Sequence, residues 1–209
     1  MRMIATAPFG GGLGVRRWVI NAQVPSSYAR RDPAHHLGKL AVSLGLAGRG
    51  AGMLTAADVR AFSTAYDGGV SVTATVGLGL PIQAAAPDGA ELVKPADGGR
   101  RGWGPVLAEE PGLGPRRGNQ IGTINVLAVV PERLSDAALV NTVVTATEAK
   151  VQALRELGLA ATGTATDAVC VACPDEGRAS AFGGPRSVWG ARLARAVHAA
   201  VLAGGRSTA

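Results

Sequence analysis

The sequence predicts a single α/β domain, residues 1–209, in which a mixed β-sheet packs against three or four helices. Two apolar runs indicate buried strands: "GTINVLAVVP" at 122–131, bounded by glycine and proline, and "DAVCVAC" at 167–173. Between them, residues 135–157 carry apolar side chains at spacings of three and four, which is typical of an amphipathic helix. Buried strands that alternate with helices predict this fold class.

The N-terminal part predicts a strand and then a helix. The stretch "VRRWVINAQVP" at 15–25 is rich in β-branched residues and indicates a strand. Asp32 and Pro33 then give an N-cap followed by proline at the first helical position. Gly45 marks the expected end of this helix, whose apolar stripe is Leu37, Leu40, Ala41 and Leu44.

Residues 55–81 predict a short helix, a turn and a strand. Thr55 and Asp58 match a capping box, which favours a short helix through Phe62. The run Asp67-Gly68-Gly69 is a turn signal. The segment "VSVTATVG" after it alternates apolar side chains on one face, as expected of a strand, at Val70, Val72, Ala74 and Val76.

Residues 94–118 are rich in glycine and proline and predict a long flexible loop, which is either a lid over a site or a plain surface excursion. Its basic side chains are Arg100, Arg101, Arg116 and Arg117.

Ser135 is the expected N-cap of the helix through Leu157, with Gly158 as its stop. Its predicted buried stripe is Val140, Val144, Thr147, Val151 and Leu154. A polar stripe runs beside it: Asn141, Thr145, Glu148 and Gln152. A last helix ends at Gly204-Gly205, with Trp189, Leu193, Val197 and Val201 buried.

Composition narrows the possible partners. The formal charge is +6, but the arginines are scattered and the aromatic residues, 4% of the chain, are too dispersed to stack on successive bases. We therefore expect no nucleic-acid partner. The uncharged stretch 68–87 alternates and contains proline, so it predicts a strand and a turn and not a membrane span. Two cysteines and no visible export signal favour the cytoplasm.

The two cysteines are spaced as C-x-x-C, which raises the question of redox or metal chemistry. Redox pairs of this kind sit at a helix N-terminus, whereas Cys170 and Cys173 lie in a β-branched run. Residues three apart in a strand point to opposite faces, and no second cysteine or histidine pair completes a zinc site. We expect buried, structural cysteines and no metal.

The segment before them, "TGTATD" at 162–167, is the stronger candidate for a site. Hydroxyls, a glycine and a carboxylate stand where a loop enters a buried strand, and this pattern forms a polar concavity or a self-satisfied turn. Glu148 lies beside the apolar seam of its helix, where desolvation favours the protonated form of a carboxyl. The three histidines match no serine-triad or zincin motif.

The chain resembles the adenosylcobinamide amidohydrolases of corrinoid salvage. "GTIN", "TATEAK" and "GTATDAV" in this order carry the resemblance, which extends over 21–40, 52–59, 67–81, 122–154, 163–169 and 182–197. It implies hydrolysis of the amide that joins a propionate of the corrin ring to aminopropanol, giving adenosylcobyric acid and 1-amino-2-propanol for cobamide synthesis. The corrinoid is then the substrate, and we expect no separate cofactor.

The chemistry of amide hydrolysis suggests roles for the candidate residues. Glu148 and Asp167 are the expected general base and acid, with Thr164 or Thr166 as an alternative nucleophile. The expected substrate-binding residues are Thr123, Asn125, Asn141 and Gly163, with backbone N–H groups near Gly163 and the Asn125 amide as oxyanion donors. Two rivals remain: a corrinoid carrier without activity, and an autoprocessed enzyme with Thr123 as its new N-terminus.

Overall fold

The computed structural model describes residues 1–87, 91–92, 105–106 and 122–208. The strands in these segments are β1 (Arg2–Ala5), β2 (Gly12–Val15), β3 (Trp18–Gln23), β4 (Gly50–Thr55), β5 (Ser63–Asp67), β6 (Val70–Val76), β7 (Glu91–Leu92), β8 (Pro105–Val106), β9 (Ile124–Val129) and β10 (Ala168–Cys173). The helices are α1 (Pro33–Ser43), α2 (Asp136–Glu156) and α3 (Val188–Thr208).

The main sheet has six strands in the order β2-β1-β10-β9-β6-β5. The pair β9–β10 is parallel, and the other neighbours are antiparallel, so the predicted mixed sheet is confirmed. The strands predicted at 122–131 and 167–173 are its two central strands. The β1–β2 hairpin was not predicted, because each strand has only four residues and the segment from Gly10 to Gly14 is rich in glycine.

The two faces of the main sheet pack against different layers. Alternate side chains of β9, such as Val126, join the α2–α3 side in the main core, as do Val72 of β6 and Val171 of β10. On the opposite face lies the parallel pair β3–β4, whose Met53 packs with Cys170. Helix α1 covers that pair through residues that the sequence placed on its buried stripe, Leu37 and Ala41.

The buried face of α2 differs from the predicted one. Val140 and Val144 are about half exposed, at 49% and 50%. The buried side is made mostly of small residues, namely Ala138, Leu139, Thr142, Thr145, Ala146, Ala149, Lys150, Ala153 and Leu154. Alanine and threonine let α2 approach α3 and the sheet closely, which larger valines would prevent. The choice of valines as the core stripe was therefore wrong, and only Leu154 belongs to both sets.

Two further predictions need correction. No helix forms at 55–62: Thr55 ends β4, and its Oγ1 accepts a hydrogen bond from the N–H of Ala57, which closes a local turn. Helix α3 continues through Gly204-Gly205 to Thr208. A Cβ at Gly205 would lie 2.3 Å from Leu157 Cδ1, so close packing explains this glycine better than helix termination does.

The C-x-x-C pair behaves as predicted within the strand. Cys170 joins the layer facing β3–β4, whereas Cys173 joins the helix side of the sheet, and both are buried and free. Burial raises the pKa of the Cys170 thiol to about 12 and also raises that of Cys173. Buried neutral thiols on opposite faces are structural side chains.

Apart from the two residues of β8, the predicted loop at 94–118 lies outside the described residues, and so do its four arginines. None of the described helices is long and apolar enough to cross a bilayer.

Candidate active site

The candidate site lies where β9 and β10 begin. Thr123 directly precedes β9, and Asp167 directly precedes β10. The two strands are parallel and in register, with Ala168 opposite Asn125, so their starting residues meet at one edge of the sheet. Two residues that are 44 positions apart in the sequence thus contribute to one site.

Four donors surround the Asp167 carboxylate. Its Oδ1 accepts from the backbone N–H of Ile124 at 2.9 Å and from Thr164 Oγ1 at 2.5 Å. Its Oδ2 accepts from the backbone N–H of Thr164 at 3.1 Å and from Lys150 Nζ at 2.5 Å. These donors match the hydrogen-bonding capacity of an ionised carboxylate. Asp167 therefore fixes the turn 163–167 to both β9 and α2.

Lys150 is the principal site residue that sequence reasoning missed. Its side chain comes from the buried face of α2 and is 9% exposed, with Asp167 as the partner of its ammonium. The spacing in the sequence does indicate that Lys150 is buried. It lies four residues after Ala146 and three before Ala153, and therefore on the same face of the helix as these buried alanines. A lysine at a buried position requires a carboxylate nearby.

Gly163 lies against the Lys150–Asp167 pair. A Cβ at this position would be 2.3 Å from Asp167 Oδ2 and 2.5 Å from Lys150 Nζ. Its carbonyl accepts a hydrogen bond from the N–H of Ile82. Any larger residue at position 163 would therefore collide with the ion pair, which explains on steric grounds why glycine stands here. The substrate-binding role predicted for Gly163 stays a prediction.

A cavity of about 430 Å³ opens beside this turn, between the start of β9–β10 and the end of β3–β4. Thr123 and Thr166 line it, and their Oγ1 atoms are 2.7 Å apart. Tyr28 and Arg30 also line it. The remaining lining residues are Thr6, Pro8, Val24, Ser26, Pro33, Leu54, Ala56, Asp167 and Ala168. The lining is mostly apolar, with hydroxyl groups from threonine, serine and tyrosine and the charges of Arg30 and Asp167.

Thr164 and Asn125 lie beneath the surface of this cavity. The Thr164 hydroxyl already donates to Asp167, and Thr164 is buried. Asn125 is 1% exposed, and its Nδ2 donates to Asn21 Oδ1 and to the carbonyl of Leu54, a lining residue. These contacts support the wall of the cavity, and the Asn125 Oδ1 has no hydrogen-bond partner among the described residues.

Glu148 and Asn141 lie elsewhere. Glu148 is exposed on α2 and lines a second cavity, of about 410 Å³, together with Arg195 and His198 of α3. Asn141 is also exposed on α2, beside Gly184. Asp167 and Glu148 share neither of the two described cavities, so the expectation that they work in one cleft is not met. The predicted polar stripe misled because α2 is oriented with Asn141, Glu148 and Gln152 exposed, whereas Thr145 of the same stripe is buried.

Comparisons with known proteins agree with this assembly of motifs. A profile of the family described as adenosylcobinamide amidohydrolase matches residues 1–209. A protein of that name from Methanosarcina mazei is 41% identical over 92 residues, covering 40% of this chain and 46% of that protein.

Another of the same name, from Halobacterium salinarum, is 36% identical over 137 residues, covering 65% of this chain and 50% of that protein. The matches thus span about half the length of these curated relatives. No solved structure matches the chain significantly. Because the profile extends over every residue from Met1 to Ala209, the chain belongs to the adenosylcobinamide amidohydrolase family.

Proposed function

We propose that this protein hydrolyses the amide bond of adenosylcobinamide, releasing 1-amino-2-propanol and leaving adenosylcobyric acid for cobamide synthesis. One observation carries the proposal: a chain of this family has a cavity in which a pair of hydroxyl groups stands next to a rigid, charge-paired carboxylate. The arrangement suits attack on a neutral carbonyl, which needs a positioned oxygen nucleophile and a prepared electrostatic environment.

The Thr123–Thr166 pair is the centre of the proposed chemistry. Either one hydroxyl attacks the amide carbon, or the pair holds a water molecule that attacks it. Thr166 is the better nucleophile candidate of the two threonines predicted from the sequence, because Thr164 is buried and bonded to Asp167. Intact-protein mass spectrometry after a rapid quench separates the routes, since only direct attack adds a corrinoyl mass.

Asp167 acts in this proposal as a positioning residue. Four donors already occupy its oxygens, so it is poorly placed to take a proton from a nucleophile. It holds the turn that presents Thr166 and balances the charge of Lys150. Glu148 has no part in the proposed reaction, because it lines the cavity between α2 and α3.

The cavity suits one arm of the substrate and not the whole corrinoid. A volume of about 430 Å³ is typical of a site for a small organic group. We propose that the aminopropanol arm enters and the macrocycle remains outside. The reaction is a hydrolysis without net oxidation, so we expect no separate cofactor. Dialysis of the enzyme against a chelator should leave the rate of hydrolysis unchanged. A loss of activity after dialysis would contradict the expectation that no cofactor is needed.

The decisive experiment is incubation with adenosylcobinamide followed by chromatography of the corrinoids and derivatisation of free amine. We expect equimolar adenosylcobyric acid and 1-amino-2-propanol. A Thr123→Val, Thr166→Val double variant, which keeps the side-chain shapes but removes both hydroxyls, should bind the substrate without product release. Tight binding without release by the wild-type protein would identify it as a carrier.

The same samples test processing at Thr123. An active protein that keeps the mass of the intact 209-residue chain would exclude cleavage before this residue.

The cellular location is a separate proposal. Two buried thiols remain free, as expected of a protein in a reducing compartment, so we propose the cytoplasm. Cell fractionation with antibody detection tests it, and recovery from an extracytoplasmic fraction would contradict it.

A further inference from the structure

Tyr28 and His36 form a second hydrogen-bonded pair at the cavity. Tyr28 lies between β3 and α1 and lines the cavity, whereas His36 is in the first turn of α1. The Tyr28 hydroxyl is 2.9 Å from His36 Nδ1, and the two rings stack with their centroids 5.5 Å apart. The backbone of each residue is fixed locally, Tyr28 by the carbonyl of Pro25 and His36 by that of Asp32.

The proposed hydrolysis leaves one chemical requirement unmet. An alkylamine is a poor leaving group unless it takes a proton as the C–N bond breaks. Among the described lining residues, the ionisable groups are Tyr28, Arg30 and Asp167. Asp167 accepts four hydrogen bonds, and a guanidinium does not give up its proton in a protein. Tyr28 is the remaining group that can donate.

We propose that Tyr28 is a catalytic residue that donates its phenolic proton to the departing amine nitrogen, and that His36 positions the phenol and returns the proton. This rests on the proposed amide hydrolysis. In the step, a C–O bond forms from the threonine or water oxygen, and the C–N bond breaks with its electron pair going to nitrogen. The nitrogen takes the proton of Tyr28, the attacking oxygen releases its proton to solvent, and the phenolate regains a proton from solvent through His36. Where a threonine attacks, water then hydrolyses the resulting ester and regenerates the hydroxyl.

Two charged side chains line the cavity together with Tyr28, namely Arg30 and Asp167. The Arg30 guanidinium is held in a two-point contact by Asp32, at 2.9 Å and 2.8 Å. The Asp167 carboxylate is paired with Lys150.

Tyr28→Phe tests the donor role, because it removes the hydroxyl and keeps the ring that stacks on His36. Two substrates are compared: adenosylcobinamide, whose amine needs a proton, and the p-nitrophenyl ester of adenosylcobyric acid, whose leaving group does not. We expect kcat for the amide to fall about 100-fold or more, with KM nearly unchanged, and kcat for the ester to change less than about threefold. Equal losses on both substrates, or none on the amide, would overturn the inference.

His36→Asn tests the positioning role, with His35→Asn as the matched control on the neighbouring, exposed position. We expect an approximately 10-fold loss of kcat on the amide in His36→Asn and none in the control. Adding His36→Asn to Tyr28→Phe should cause no further loss, since His36 acts through the phenol. A loss of kcat in the double variant equal to the product of the two single losses would overturn the proposed relay. If the wild-type protein does not cleave adenosylcobinamide at all, the proposed function itself fails, which is a distinct result.

Discussion

Lys150 Nζ lies 2.5 Å from Asp167 Oδ2, and both side chains are nearly withdrawn from solvent, at 9% and 12% exposed. The ion pair joins the middle of α2 to the turn that leads into β10. It therefore connects the helix layer to the edge of the sheet where the cavity opens.

Lys150→Met should destabilise the protein strongly. The variant leaves a buried carboxylate without its counter-charge, which typically costs about 3–5 kcal/mol in the free energy of unfolding. Adding Asp167→Asn should recover part of that loss, because the amide carries no charge to compensate. Urea unfolding followed by circular dichroism measures both. Arg60→Met is the control, since the Arg60–Asp58 pair is solvent-exposed and should contribute little to the free energy of unfolding. A loss below 1 kcal/mol in Lys150→Met would contradict the prediction.

Gly163→Ala should impair the site although it adds only one methyl group. The new Cβ would overlap Asp167 Oδ2 and Lys150 Nζ, so the pair must separate or the turn must move. We expect a fall in kcat/KM of about 100-fold, as for a misplacement of reacting groups by about 1 Å. Ala165→Ser, at an exposed position of the same turn, should retain activity. Equal kcat/KM values for Gly163→Ala and Ala165→Ser would show that the site accommodates the extra methyl group, and would contradict the prediction.

Asp167→Asn and Glu148→Gln should behave differently. Asparagine keeps the shape of Asp167 but replaces one acceptor oxygen by an NH2 group, which cannot accept from Lys150 Nζ or from the N–H of Thr164. We expect the turn that carries Thr166 to lose its fixed position. We expect kcat to fall about 100-fold. Glu148→Gln should remain within about twofold of the wild type, because Glu148 lines the other cavity. Steady-state kinetics with adenosylcobinamide compares the two variants. Loss of activity in Glu148→Gln would show that Glu148 takes part in the reaction.

The two thiols should be unreactive in the native protein. Burial raises the pKa of Cys170 to about 12, so its thiol stays protonated where an unfolded cysteine ionises, near 9.0. A group with a raised folded pKa contributes stability that is present below its unfolded pKa and lost as the pH rises through its folded pKa. We therefore expect the free energy of unfolding to fall between about pH 9 and pH 12. Ellman's reagent should detect no thiol before denaturation and two after it; rapid native labelling would contradict the assigned burial.

Much of the fold was predictable because strands and caps leave local signals. The continuous apolar runs gave β9 and β10, the Asp32-Pro33 pair gave the start of α1, and Ser135 gave the start of α2. Thr55 and Asp58 match a capping box equally well, yet no helix follows them. A capping pattern shows only where a helix can begin, and whether it forms depends on packing of its apolar face.

The site was only half predictable. The segment "TGTATD" identified Thr164, Thr166 and Asp167 because hydroxyls and a carboxylate before a buried strand are chemically conspicuous. Lys150, Tyr28 and His36 have no such local pattern, and their roles depend on which side chains face each other across the fold. Glu148 shows the converse, since its neighbourhood in sequence predicted a site that its orientation on α2 does not support.

The sequence by itself determined the family, the order of the main strands and helices, and the turn that carries Asp167, because these depend on local chemistry and short-range periodicity. Only the tertiary structure decided which face of α2 is buried. The valine stripe and the alanine–threonine stripe follow the same helical period, and the choice between them rests on how closely α3 and the sheet can approach. That choice brings Lys150 to Asp167 and turns Glu148 away.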